Sequence, residues 1–479
     1  MGRIDTNIAS LIAQQGLAQS QQAEQTSLQR LSTGLRINSG ADDPAGLIVS
    51  QGLQSEMAGI TQAISNSSQA NNVVATAEGA LSEVSSLLLN IKSLVVQAAN
   101  SGAESAAEIQ ANQLQVDSAV QSITRISDTT SFDGLNLIDG SLGYITSGVS
   151  TSAITALNIS QADLGQQASI PVNLDVITSA RPAELTFGTS QIASSVTLEI
   201  SGNQGVQTLT FTSGTHASAI AFAVNQVSDS TGVSATLLSA TANPLSGIVF
   251  KSGGYGTSNF VSVSVLQGGA FQTTNAAGAD VQRSVGVDAV ATVNGAVTVG
   301  NGLDIQLNTS GLDMDLTLNK SFGAGKTSFS ITGGGATFQI GPQVSSNEQV
   351  SIGIGSVAAS HLGNSQVGFL SDIVTGGSQS LVGGKAAGAE AIVEQAITQV
   401  AELSGRLGAF QENTLNTTSD SLQVALENVT SSESDITDTN FASETANLTR
   451  AQILVSAGTS VLATANSTPN SVLQLLQGT

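Results

Sequence analysis

The side chains of this sequence that could act on a ligand are few. Gly325-Lys326-Thr327 has the ending of a phosphate-binding loop, in which backbone N–H groups and a lysine hold phosphate oxygens. The upstream position that such a loop needs as glycine is Lys320, so the three residues read as a plain turn. His216 and His361 are the only histidines, and no His-Glu-x-x-His stretch is present. Two lone histidines read as structural or solvated. No nucleophile-elbow motif supports Ser-His-Asp catalysis. Asp313 and Asp315 could touch a cation, but they alternate with Leu312, Met314 and Leu316. That alternation places them on the wet face of a strand. The chain has no cysteine, which removes disulfides, thiolate catalysis and Cys-ligated metals. No catalytic residue, metal or cofactor is expected, and the chain reads as a non-enzyme.

Composition narrows the partners. Thirteen Lys and Arg stand against 35 Asp and Glu, a net charge of −22 on 479 residues. Phosphate backbones and anionic bilayers need clustered cations, so neither nucleic acid nor membrane is expected. Tryptophan is absent and no aromatic precedes Phe132, so the early cores must use Leu, Ile, Val, Met and Ala. The best apolar run, around Leu87–Val96, is broken by Asn90 and Lys92 and is too short for a membrane span. Asp5, Asn7 and Gln14 interrupt any signal-peptide core after Arg3. Composition alone therefore points to the cytoplasm.

The elements follow from periodicity. Residues 4–35 read as a helix with Ile4, Ile8 and Leu11 at one end and Leu28, Leu31 and Leu35 at the other. Pro44 opens a long helix to about Asn100, with Leu53, Met57, Ile60, Ile64, Val74, Leu81, Leu88 and Val95 in one leaky seam. Ile109, Val116 and Ile123 mark a shorter helix, and Asp133-Gly134 and Asp139-Gly140 mark a hairpin. Residues 144–385 are rich in Gly, Ser and Thr, with period-two strands at Val196–Ile200, Val261–Val265 and Leu312–Leu318 and one helix at Ala217–Ser228. They read as one or two β-rich domains. Helical spacing returns at Ala386 with Val393, Ala396, Val400, Leu403, Leu407 and Phe410, then Leu415, Leu422, Val429 and Ile436. At the carboxyl end Phe441, Leu448, Val455 and Leu462 recur at sevens, flanked by Leu454 and Val461. Asp438 or Asn440 caps this last helix, and Pro469 should end it. The class is α+β: a long antiparallel coiled-coil rod made by both chain ends, with a β-rich outer insertion. A thin seam with small polar flanks suits several neighbours better than one, although an ordinary bundle within one subunit has the same spacing.

Two stretches carry a family resemblance. LQRLSTGLRINSGADDPAGLIVSQGLQSE (28–56) and FASETANLTRAQILVSAGTSVLATANSTPNSVLQLL (441–476) resemble the two ends of bacterial flagellin, over roughly 1–143 and 386–479. SVTLEISGNQG and the residues up to SVSVL resemble the flagellin hook IN motif. The resemblance implies a subunit that self-assembles into the flagellar filament for motility. Residues 1–40 and 438–479 would form an inner coiled coil, 41–143 and 386–437 the surrounding rod, and 144–385 the outer region. It also implies an extracellular, secreted protein exported unfolded, which reverses the cytoplasmic reading. Implied partners are other copies, cap and hook-junction proteins and an export chaperone. A hook–filament junction protein, or an adhesin or enzyme displayed by the middle, are the alternatives. In flagellins that the animal innate immune receptor detects strongly, an arginine and a glutamate of the gripped face fall here on Asn90 and Gln115. Leu94 is kept, and a further polar contact falls on Gln411-Glu412-Asn413. The resemblance therefore implies weak receptor binding.

Overall fold

The computed structural model describes residues 7–477, except Ser101, Ala103, Gln166, 239–246, Ser310 and 365–366; side chains are described as far as Thr468. The chain forms two compact units. One combines Met1–Gln69, Gln339–Glu348 and Asn413–Thr479; the other combines Ala70–Phe338 and Gln349–Glu412. The helices are α1 (Ile8–Thr33), α2 (Pro44–Ala99), α3 (Ala106–Thr129), α4 (Ala217–Gln226), α5 (Ser228–Thr231), α6 (Ala386–Phe410), α7 (Thr417–Thr437) and α8 (Phe441–Gln477).

Helix α2 buries two rows at seven-residue spacing. One is Ile60, Ser67, Val74, Leu81, Leu88 and Val95; the other is Ala63, Ala70, Ala77, Val84, Ile91 and Ala98. Such paired rows are the a and d positions of a coiled-coil seam. By length and composition α2 would also pass for a membrane span, with an 18-residue window of mean hydropathy 1.3. Its apolar rows are instead core. Helix α3 starts at a capping box, in which the Ser105 hydroxyl accepts from Glu108 N–H and the Glu108 carboxylate from Ser105 N–H. The hairpin Ser131–Phe132/Leu135–Asn136 turns on Asp133 and Gly134, both at positive φ (51° and 83°), which suits the strands' twist.

Residues from Tyr144 to Gly334 enclose two apolar cores. The first lies between a five-stranded and a four-stranded antiparallel sheet and is built on Val172, Leu174, Ile305, Met314, Leu316 and Phe329. The second lies between two further four-stranded sheets and α4, around Leu198, Ile200, Ile220, Val224 and Phe250. Its Phe187 and Phe271 rings stack 3.9 Å apart. The chain enters the first core, leaves to build the second, and returns. In strand Leu312–Leu318 every apolar residue is buried and every polar one half-buried, so the alternation fixes the face.

Helix α6 buries Ala389, Ile392, Val393, Ala396, Val400, Leu403 and Leu407. The next buried position is Leu415, eight residues on, and a π-helical turn at Gln411–Asn416 absorbs the extra residue. Helix α8 does not stop at Pro469 as expected from the sequence; it continues to Gln477.

Candidate functional site

The possible chemical residues fold into structural roles. Gly325-Lys326-Thr327 starts a strand rather than a turn, and Lys326 Nζ lies 3.1 Å from the Asp175 carboxylate across it. His216 and His361 are both exposed, and His361 Nδ1 shares a 3.0 Å hydrogen bond with Ser360. Asp313 and Asp315 lie on the face away from the apolar core, as the alternation predicts, and that face is only partly open to water, with the Asp315 side chain 41% exposed. Burial pushes both carboxyls up, and the Arg406 guanidinium pulls both back. Arg406, on α6, lies 3.9 Å from Asp315 and also donates to the Ser160 hydroxyl. Sequence spacing could not reveal a partner some ninety residues away. Among the described residues no cluster of three His, Asp or Glu could hold a metal.

The pair α1–α8 is where the terminal seams meet. Asn7 caps α1, its Oδ1 accepting from Ser10 N–H at 3.1 Å. Helix α1 ends at Gly34, whose positive φ (76°) suits the left-handed cap position. The chain then bonds to the end of α7 and the link that leads into α8: Arg36 N–H donates to Thr437 O at 2.6 Å and Thr439 N–H to Gly34 O at 2.8 Å. Asn440, not Asp438, caps α8, accepting from Ser443 N–H at 3.1 Å. The helices run antiparallel. Ser10 Oγ donates to Asn466 Oδ1 at 2.7 Å, Leu17 lies beside Gly458, and Arg30 faces Glu444 at 3.9 Å.

The seam between these helices keeps only part of the rows expected from the sequence. Its buried residues are Ser10, Ser27, Glu444 and Ala451, all small or polar. Leu31, Leu448, Val455 and Leu462 are partly buried beside them. Ile8, Leu11, Phe441, Leu454 and Val461, expected in the seam, are each more than half exposed, and so are Ile12 and Ile453. Leu28 and Leu35 are exposed as well. Ile4 lies outside the described residues. The reason is steric: small residues let two helix backbones approach closely, and the bulky rows must then point away. The only charged residues on the two helices are Glu24, Arg30, Glu444 and Arg450. Glu444, Arg30, Arg450 and Leu454 border a groove of 530 Å³ along the pair.

One contact was not foreseen. A proline has no N–H, so Pro469 leaves the carbonyl four residues earlier, Ala465, without its helical donor. Asn7 Nδ2 donates to that carbonyl at 2.7 Å.

On the other face singled out by the sequence, Asn90 and Gln115 are exposed. Leu94 is not; it is 7% exposed and belongs to the core. Gln411-Glu412-Asn413 fall in the π-helical turn.

Comparisons with known proteins match this layout. The bacterial flagellin N-terminal helical region matches residues 4–142, the C-terminal helical region 391–476, and the flagellin hook IN motif 197–254. The chain is 32% identical to the B-type flagellin of Pseudomonas aeruginosa, with 99% of each chain covered. It is 29% identical to a flagellin of Salmonella typhimurium, again over 99% of each. A solved structure of FliC from Burkholderia pseudomallei is 17% identical, covering 71% of this chain and 98% of that one, with a TM-score of 0.24.

Proposed function

The chain belongs to the bacterial flagellins, structural subunits of the flagellar filament, and on that premise we propose that it polymerises by burying the outward apolar rows of α1 and α8 between copies. The observation that carries this is the outward apolar set: Ile8, Leu11, Ile12, Leu454 and Val461 stay more than half exposed although the two helices are paired. Contiguous exposed apolar side chains mark interaction surfaces. Burying the exposed half of each such side chain is worth on the order of 1 kcal/mol, so a row repeated on both helices contributes to holding two thin helices in place.

In this reading 1–40 and 438–479 form the inner coiled coil, 41–143 and 386–437 the helical part around it, and 144–385 the outward region. The subunit leaves the cell unfolded through a dedicated export channel, escorted by a chaperone on its carboxyl end. It meets cap and hook-junction proteins at the filament's ends. Supporting this are the absence of cysteine and the small, polar α1–α8 seam. The lack of charge at Asn90 and Gln115, both on the accessible surface, supports weak binding by the animal innate immune receptor.

The test is Leu454→Asp. Its site is exposed in the single chain, so the subunit folds. The expected result is loss of filaments by sedimentation and electron microscopy, as for removal of 438–479. Normal polymerisation of Leu454→Asp would show that the outward row meets only water.

A further inference from the structure

The open side of a sheet's end strand presents N–H and C=O groups that only another extended strand can pair in full, and proteins commonly blunt such edges. Among the described residues, seven of the eight end strands of the four- and five-stranded sheets are blunted. Strand Val233–Leu237 is closed by the Asn225 amide, which donates to Ala235 O at 2.9 Å and accepts from Ala235 N–H at 2.8 Å. Strand Ile154–Ala162 is met by Gly353 N–H, which donates to Ser160 O at 2.8 Å. Strand Tyr144–Ser147 is four residues long, and its pairing shifts register between Ile331 and Gly333. Strands Thr274–Asn275, Arg283–Val285, Ala296–Val297 and Val299–Asn301 have only two or three residues each.

The eighth has none of these devices. Strand Gly205–Phe211 has seven residues, no charge, no proline and an unbroken register against Val196–Gly202. Leu209 and Phe211 belong to the apolar core, so Val206, Thr208 and Thr210 alternate onto the other face, where all three are exposed. Helix α5 covers the turn end, where a Cβ on Gly205 would meet Ser230 O at 2.8 Å, so the open stretch is Val206–Thr210. Alternate residues of an end strand turn their N–H and C=O groups away from the sheet.

We propose that Val206–Thr210 pairs antiparallel with the same five residues of a second copy. The stretch is self-complementary. Centred on Thr208, the pairing sets Thr208 opposite Thr208 and Val206 opposite Thr210, β-branched pairs that suit a sheet. A second copy offers this same open edge, while its other end strands are short, bulged or closed, and that selects the occupant. The nearest carboxylates do not oppose it. Glu199, opposite Thr208 on the inner strand, would lie three strand spacings, about 14 Å, from its counterpart, beyond a Debye length at physiological salt. Asp229 of α5 is at the turn end, which an antiparallel pairing sets against the uncharged Thr210–Ser213 end of the other copy. Such a contact is isologous and needs a two-fold axis, which a helical filament built from heterologous contacts lacks between its own subunits. Two filaments of the same polarity lying side by side have one between them, so the contact joins copies of neighbouring filaments. That placement rests on the filament reading; the pairing itself does not. Five residues a side make a weak contact, and repetition along two filaments multiplies it.

The cysteine-free chain gives a clean test. Residues directly opposite in an antiparallel pair have Cα atoms about 4.5–5.5 Å apart, within disulfide range, so Thr208→Cys puts two thiols together at the two-fold. Thr208→Cys is mildly oxidised as concentrated free subunits and as sedimented filaments, beside Val344→Cys, whose site is 92% exposed and outside these sheets. The expected product is a disulfide-linked dimer from Thr208→Cys in both forms, with the higher yield in filaments, and little from Val344→Cys. Equal yields from the two variants, or no dimer from Thr208→Cys, overturn the pairing. In parallel, Thr208→Lys sets a charge on the edge. Its filaments should form at an unchanged critical concentration but lose the side-by-side association that the unaltered chain shows by electron microscopy and light scattering. Unchanged association overturns the contact, and loss of association without any Thr208→Cys dimer assigns the edge to a different partner and overturns it too. Failure of the unaltered chain to polymerise overturns the filament reading, and oxidation of the free subunits still decides the pairing.

Discussion

Asn7 offers the sharpest test of how the terminal helices are held. It serves both: its Oδ1 caps α1 through Ser10 N–H, and its Nδ2 donates to the Ala465 carbonyl that Pro469 leaves without a partner. Asn7→Ala removes both bonds. Loss of an N-cap costs about 1 kcal/mol. Stripping a half-buried carbonyl of its donor costs about 1 kcal/mol more. The pair should weaken by about 2 kcal/mol, which is about thirtyfold in an equilibrium constant. On the proposed coupling of α1 and α8 ordering to addition of a subunit, the same factor appears in the critical concentration, read by sedimentation. Asn7→Asp keeps the cap but loses the donor, so its increase should be about fivefold.

The decisive arm is the double variant. In Pro469→Ala, residue 469 regains an N–H and can close the helical bond to Ala465. Asn7→Ala in that background then costs only the cap, about fivefold. If Asn7→Ala costs the same with and without Pro469, the carbonyl contact contributes nothing and the reasoning fails.

Two further outcomes follow from polar sites elsewhere. Burial, first, and charge proximity hold the Asp313 and Asp315 carboxyls above their ordinary value, and Arg406 opposes the shift. Raised acids contribute stability that is full below the unfolded pKa and is lost as pH rises through the folded one. Arg406→Ala should therefore lower the thermal midpoint more at about pH 7 than at about pH 4, while Asp315→Asn should flatten the dependence. Equal losses at both pH values would refute this. For the immune receptor, depolymerised protein should be a weak agonist in reporter cells, with potency gained in Asn90→Arg plus Gln115→Glu through restored charge pairing. Potency equal to a strong flagellin would refute it.

The helical and strand patterns were legible where side-chain size reports burial. Ile60, Val74, Leu81, Leu88 and Val95 announced their seam, and Met314 and Leu316 their face. The companion row of Ala63, Ala70, Ala77 and Ala98 was invisible, because alanine is equally at home exposed. The step of eight from Leu407 to Leu415 was hidden for a different reason: a π turn resets the phase, and periodicity assumes a constant one. Pro469 misled because the rule that proline ends a helix assumes no outside donor for the freed carbonyl, and Asn7 supplies one from the other end of the chain. The alternation gave Asp313 and Asp315 their face but not their cation, because Arg406 is on another element.

The terminal helices show why some of the most apolar residues, Ile8, Leu11, Phe441, Leu454 and Val461, lie outside the contact expected of them. A single-chain reading gives the largest side chains to the contact it can imagine, here α1 against α8. Close packing gives the centre of that contact to Ser10, Ser27, Ala451 and Gly458, and leaves Leu31, Leu448, Val455 and Leu462 only partly buried beside them. A pair held by such a seam is marginal alone, since most helical stability in proteins comes from packing an apolar face. The apolar faces exist, but they point outward. On the proposed assembly, the stability of α1 and α8 depends on neighbours that cover Ile8, Leu11, Ile12, Leu454 and Val461.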